Sequence, residues 1–174
     1  MGELPKYRTF FFVEGIVFII LGILAMALPQ VTTLAVELFI GWILLIGGLV
    51  QLVRSFTSKE IPGFWPSFIA ACLSIVVGLL LIAYPIQGII SLTLLLTLFF
   101  LADGLSKLVL GFQYRSFGRA GWIIFSGIIS LALAFIIWSG WPGTAVWVIG
   151  LMVGINMLFF GTSLFFLGWA AKQN

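Results

Sequence analysis

Six apolar runs account for most of this chain, at roughly 10–28, 31–53, 66–84, 88–112, 120–139 and 144–169. Each is close to the ~20 residues that carry a helix across the hydrocarbon core of a bilayer. The pattern predicts an all-α integral membrane protein with six transmembrane helices in a single transmembrane domain, 1–174. The breaks between the runs alternate in character. Those near 29–30, 85–87 and 140–143 are tight, contain proline and carry no charge, whereas 54–65 and 113–119 hold Arg54, Lys59, Glu60, Arg115 and Arg119.

The small residues inside the runs reveal a copied unit. Gly15, Ala71 and Gly127 stand 56 apart, as do Gly22, Gly78 and Ala134, and Pro29 maps to Pro85. Pro142 arrives one residue late, so the third turn holds an insertion. With that insertion counted, Gly48, Gly104 and Gly161 also align. The unit is a pair of helices, repeated over about 10–56, 66–112 and 120–169. Repetition at a fixed period means one supersecondary unit stacked on itself. Every copy crosses in the same sense, so the repeats are parallel, and three of them predict a pseudo-threefold arrangement.

Within each helix the small residues recur every seven positions, nearly two turns, and so form one stripe along a face. The first helices show Gly15/Gly22, Ala71/Gly78 and Gly127/Ala134. The second helices show Gly41/Gly48/Ser55, Thr97/Gly104/Gly111 and Gly154/Gly161/Gly168. Gly150 and Gly154 add a small-x-x-x-small pair. Lipid tails are as apolar as leucine, so membrane helices associate by close backbone approach over such stripes. Packing within the bundle is the expected role, with a subunit contact as the alternative.

Composition narrows the class. Of 174 residues, 63% are hydrophobic and 7% charged, against about 25% charged in ordinary soluble domains. Histidine is absent and Cys72 is the single cysteine. That removes disulfides, thiolate metal sites and imidazole-dependent catalysis, and no catalytic residue, metal or cofactor is expected. Cys72 lies in an apolar run, where an inert thiol is the default. The net charge of +3 suits anionic lipid headgroups, and no soluble basic face exists for nucleic acid.

Charge also orients the chain. Lys6, Arg8, Arg54, Lys59, Arg115, Arg119 and Lys172 all fall on one side of the predicted spans, and no lysine or arginine falls on the other. The positive-inside rule places both termini in the cytoplasm. Trp65, Trp122 and Trp169 near the cytoplasmic ends, and Trp138 and Trp141 near the outer ends, fit the interfacial preference of indoles. Trp42 and Trp147 sit deeper, where packing is the expected role. The stretch Ala25-Met26-Ala27 imitates a signal-peptidase site. The matching segment before Pro85 plays the same part without that signal, so the first run is expected to remain as a span.

Polar residues inside spans are costly and usually face protein or water. Asp103 and Lys107 stand i, i+4 with the acid first, the favourable order for a helix ion pair. Gln51 is the first-repeat counterpart of Lys107. Topology brings Glu14, Gln51, Arg54, Asp103 and Lys107 to a similar depth, which predicts one polar cluster in the cytoplasmic half. It serves mutual neutralisation that fixes helix register, a protonation-sensitive or substrate-contacting site, or simple solvation at the interface. Glu37, toward the outer side, aligns with Thr93 and Gly150 and is expected at the interface, with an outer vestibule as the alternative. Asn156 is expected to bond a neighbouring helix.

The run Glu14-Gly15-x6-Gly22-x6-Pro29, followed by Gly41-Trp-Ile-Leu-Leu-Ile-Gly47-Gly48, resembles the HdeD family of small bacterial inner-membrane proteins. Gly121-Trp-Ile-Ile-Phe-Ser-Gly127 in the third unit does too. The resemblance covers nearly the whole chain, and its motifs are glycines and prolines rather than reactive groups. It implies a multi-pass protein of the bacterial cytoplasmic membrane, in a family linked to resistance to acid stress, and it brings no catalytic residues. Ala134 in place of glycine and the late Pro142 depart mildly from the pattern. The leading expectation is a non-enzymatic stress-response protein acting through membrane, lipids or partners. The alternative is a small proton or solute transporter using the polar cluster. Leftover small-residue faces leave a homo-oligomer open.

Overall fold

Proline at the first helical position costs no hydrogen bond, because that N–H has no intrahelical partner, and its fixed φ suits the helix. Pro29 and Pro85 therefore begin helices rather than sit in turns. The computed structural model describes residues 8–57, 64–114 and 120–170. Among them run α1 (Arg8–Ala27), α2 (Pro29–Thr57), α3 (Phe64–Ala83), α4 (Pro85–Gln113), α5 (Ala120–Ser139) and α6 (Ala145–Ala170), with no strand. The basic residues Lys6, Lys59, Arg115, Arg119 and Lys172, with Glu60, lie outside the described residues.

All six helices are long and apolar enough to cross a membrane. The repeat shows in their lengths. The first helix of each unit has 20 residues, and the second has 29, 29 and 26. Only Leu28 separates α1 from α2, and only Tyr84 separates α3 from α4. Backbone bonds bridge each break: Leu28 N–H to the Leu24 carbonyl and Thr32 N–H to Leu28, then Tyr84 N–H to Leu80 and Gly88 N–H to Tyr84. The third break is wider, 140–144, and accommodates the inserted residue through Thr144 N–H to Gly140 and Ala145 N–H to Pro142.

Large apolar side chains cover the outside. Trp122 is 75% exposed, Phe135 72% and Trp65 70%, which is the inside-out surface of a protein solvated by lipid. Trp42 belongs to that surface at 52% exposure, rather than to the packing expected of it. It follows Gly41, whose own face is turned inward, so it points away from the helix contact.

By contact the chain forms two compact units, Met1–Thr33 with Trp147–Asn174, and Leu34–Val146. In the first, α1 packs antiparallel on α6, and in the second α2 packs on α3 and α4 on α5. Small residues meet small residues at each. A Cβ on Gly15 would stand 2.9 Å from the Gly161 carbonyl oxygen, and one on Gly22 the same 2.9 Å from that of Gly154. One on Gly78 would stand 2.7 Å from the Gly41 oxygen, one on Gly48 3.1 Å from that of Ala71, and one on Gly104 2.9 Å from that of Gly127. Gly15–Gly161, Ala71–Gly48 and Gly127–Gly104 are one contact in three copies. The glycine stripe of each second helix thus meets not its own hairpin partner but the first helix of another repeat. Phe12 on Phe165 and Phe18 on Phe160 flank the first of these pairs, edge to face.

Candidate functional site

The buried face of each second helix carries one register through all three repeats. On α2 it reads Thr33, Glu37, Gly41, Gly48 and Ser55; on α4 it reads Ile89, Thr93, Thr97, Gly104 and Gly111, all buried. On α6 the matching buried positions are Gly150, Gly154, Gly161 and Gly168. Gly15, Gly22, Gly78 and Gly127 line the opposed faces and are buried as well. Gly168 lies against the Phe12 ring, and Gly111 against the Ile124 side chain.

One turn before the glycines the register becomes polar. The largest fully buried side chains among the described residues are Glu37, Thr33 and Thr93, all polar. Three repeat-related contacts occur there. Glu37 places its Oε1 in the space a Cβ on Gly88 would need. Thr93 donates its hydroxyl to the Ala145 carbonyl at 3.5 Å. Gly150 lies against the Pro29 carbonyl and donates its N–H to the Thr33 hydroxyl at 2.9 Å. Each second helix thus meets the opening turn of another second helix. Only the first repeat brings a carboxyl to that contact.

Glu37 is 0% exposed, and neither carboxyl oxygen has a hydrogen-bond partner. The interfacial position expected for it is therefore not the one it takes. Its register held the signal: Glu37 falls one turn before Gly41 on the stripe that packs.

The five polar residues expected to cluster at one depth are distributed more widely. Lys107 donates to Asp103 Oδ2 at 2.6 Å, and Ser130 of α5 donates to the same oxygen at 2.8 Å. Asp103 and Lys107 are part-exposed, at 26% and 35%. Gln51 instead donates to the Ser67 carbonyl of α3 at 3.3 Å. Arg54 is exposed in the last turn of α2, where a cation complements the helix dipole. Glu14 is half-buried on α1, in the other compact unit. Of the five residues, the structure brings Asp103 and Lys107 into contact, and it adds Ser130, which sequence reasoning missed. Asn156 is exposed on α6 rather than bonded to a neighbour within the chain.

The Asp103–Ser130 bond ties α4 to α5, as polar side chains between membrane helices commonly do. A double-mutant cycle with Asp103→Ala and Ser130→Ala, read by unfolding in mixed micelles, is expected to return a favourable coupling between the two positions. Strict additivity of the two losses would show that the bond contributes nothing.

Together the helices and their contacts define a polytopic membrane protein built from a repeated helix pair. The chain belongs to the family described as "Short repeat of unknown function (DUF308)", which matches residues 13–83 and 69–139. The two matches start 56 residues apart, the step carried by the glycines. The chain is 25% identical over 166 residues to Protein HdeD of Escherichia coli K12, across 93% of this chain and 86% of that protein. The HdeD proteins of Escherichia coli O157:H7 and Shigella flexneri match equally. This is the HdeD family to which the glycine and proline pattern pointed. No solved structure matches this chain.

Proposed function

We propose that this is a non-enzymatic protein of the bacterial cytoplasmic membrane that supports resistance to acid and related stress through lipids or partner proteins. The observation that carries this reading is the HdeD match along 93% of the chain. The hydrogen bonds of Asp103, Gln51, Thr93 and Thr33 support it too, because each ties one helix to another. In the orientation that goes with this reading, both termini are cytoplasmic, and the basic residues of that side meet anionic headgroups. The exposed Asn156 supports a homo-oligomer, since an amide facing lipid gains from a second copy.

A strain lacking the protein is expected to survive an acid challenge less well, and the wild-type chain to restore survival. Equal survival with and without the protein would overturn the reading. Reporter fusions at the two ends are expected to report a cytoplasmic location for both.

A second reading, a small proton or solute transporter, is favoured by the fully buried polar side chains Glu37, Thr33 and Thr93. Proton flux into liposomes containing the protein, absent in empty ones and reduced by Asp103→Asn or Glu14→Gln, would support it. Proton flux no greater than that of empty liposomes would exclude proton transport.

A further inference from the structure

Glu37 lies eight residues into α2, about 12 Å along the axis from the helix start, with no exposed surface and no bonded oxygen. It rests on the α4 backbone at Gly88, beside Leu81 of α3, whose Cδ2 stands 2.8 Å from the position of a Cβ on residue 88. No cation lies within reach along the elements that meet it. The helices α3, α5 and α6 contain no acidic or basic residue. Cys72, the titratable side chain of α3, is about 13 Å along that helix from Leu81. On α4, Asp103 and Lys107 begin about 22 Å beyond Gly88 and are paired with each other. Tyr84, which precedes α4, is 57% exposed. On α2 itself the next charge is Arg54, about 25 Å away.

An ionised carboxylate so placed would have neither counter-charge nor hydrogen-bond donor, the costliest state a side chain can take in a membrane interior. Thr93 does not relieve it, since its hydroxyl proton is directed at Ala145. We propose that the Glu37 carboxyl is a proton-binding site built into the α2–α4 contact. The packed form holds the proton, and its loss requires the contact at Gly88 to open to water. The other two repeats make the equivalent contact with a hydroxyl and a backbone N–H, neither of which titrates, so the carboxyl makes this one contact responsive to protons.

The test is infrared difference spectroscopy on the full chain in lipid nanodiscs, independent of whether the protein transports anything or protects cells from acid. At neutral pH the wild type is expected to show a carboxylic-acid C=O band that moves when glutamate is labelled with ¹³C. That band is expected to be lost in Glu37→Gln and kept in Asp103→Asn and Glu14→Gln. Gly88→Ala, which displaces the carboxyl, is expected to shift its frequency, and with the isotope label it serves if Glu37→Gln does not assemble. Raising the pH until the band vanishes is expected to speed amide hydrogen exchange around Gly88. The proposal is overturned if no glutamic-acid band exists at neutral pH, or if the band survives Glu37→Gln. It also falls if the band appears only after sodium and potassium are removed, since the site would then hold an alkali cation. Unchanged exchange at Gly88 would break the link to the helix contact.

Discussion

Gly78→Leu is expected to yield no folded protein, and Gly78→Ala a protein less stable by about 1–3 kcal/mol, the usual range for overpacking. The difference follows from what each side chain meets. A Cβ at this position would stand 2.6 Å from the Leu45 backbone nitrogen and 2.7 Å from the Gly41 carbonyl oxygen. Both are main-chain atoms, so no rotamer change relieves the clash and α2 has to move away from α3. A methyl group forces a displacement of tenths of an ångström, whereas an isobutyl group ends the contact. Gly47 and Gly121 are the controls, because a Cβ on either meets nothing within 4 Å. Alanine at those positions is expected to be neutral or to stabilise by up to about 1 kcal/mol, through helix propensity. Unfolding in one micelle system compares the three alanine variants, and the yield of folded protein reads Gly78→Leu. Equal losses at Gly78 and Gly47 would mean that close approach does not hold these helices together.

That contrast marks what the sequence could and could not disclose. The spacing of Gly15, Gly22, Gly41 and Gly48 identified the packing face of each helix, because a seven-residue step keeps a side on one face whatever lies across from it. It could not say which helix lies across. Both Gly41 and Gly22 fit a partner in their own hairpin, yet Gly41 meets Gly78 and Gly22 meets Gly154. Pairing between repeats depends on tertiary geometry, which periodicity does not encode. The polar residues divide in the same way. Asp103 and Lys107 were legible as a pair because i, i+4 is a local relation, but Ser130 sits on another helix and joins them only through the α4–α5 contact. Glu37 was misplaced because a carboxylate near a helix start is normally wet. Its position one turn before Gly41 puts it on the packing face, and in the fold that register prevails.

Gly88 is the position that hydropathy and the seven-residue stripes both passed over, and it carries the second large effect. Gly88→Ala is expected to destabilise the wild type by about 1–3 kcal/mol, because the new methyl group takes the space of Glu37 Oε1. Leu81 Cδ2, 2.8 Å from the same point, is the end of a flexible side chain and can rotate away. The carboxyl cannot leave so easily, since it is fully buried and has no partner to move toward. Removing the carboxyl should therefore remove most of the penalty. In a Glu37→Ala background, Gly88→Ala is expected to cost less than about 0.5 kcal/mol, or even to stabilise through helix propensity. The coupling between the two positions then approaches about 2 kcal/mol, within the range for residues in direct contact. Unfolding measured for all four members of this cycle decides the matter. If Gly88→Ala costs the same in both backgrounds, its methyl group clashes with the α4 surroundings rather than with Glu37. The first repeat would then meet α4 without its carboxyl at the contact, and the asymmetry among the three repeats would have no structural consequence.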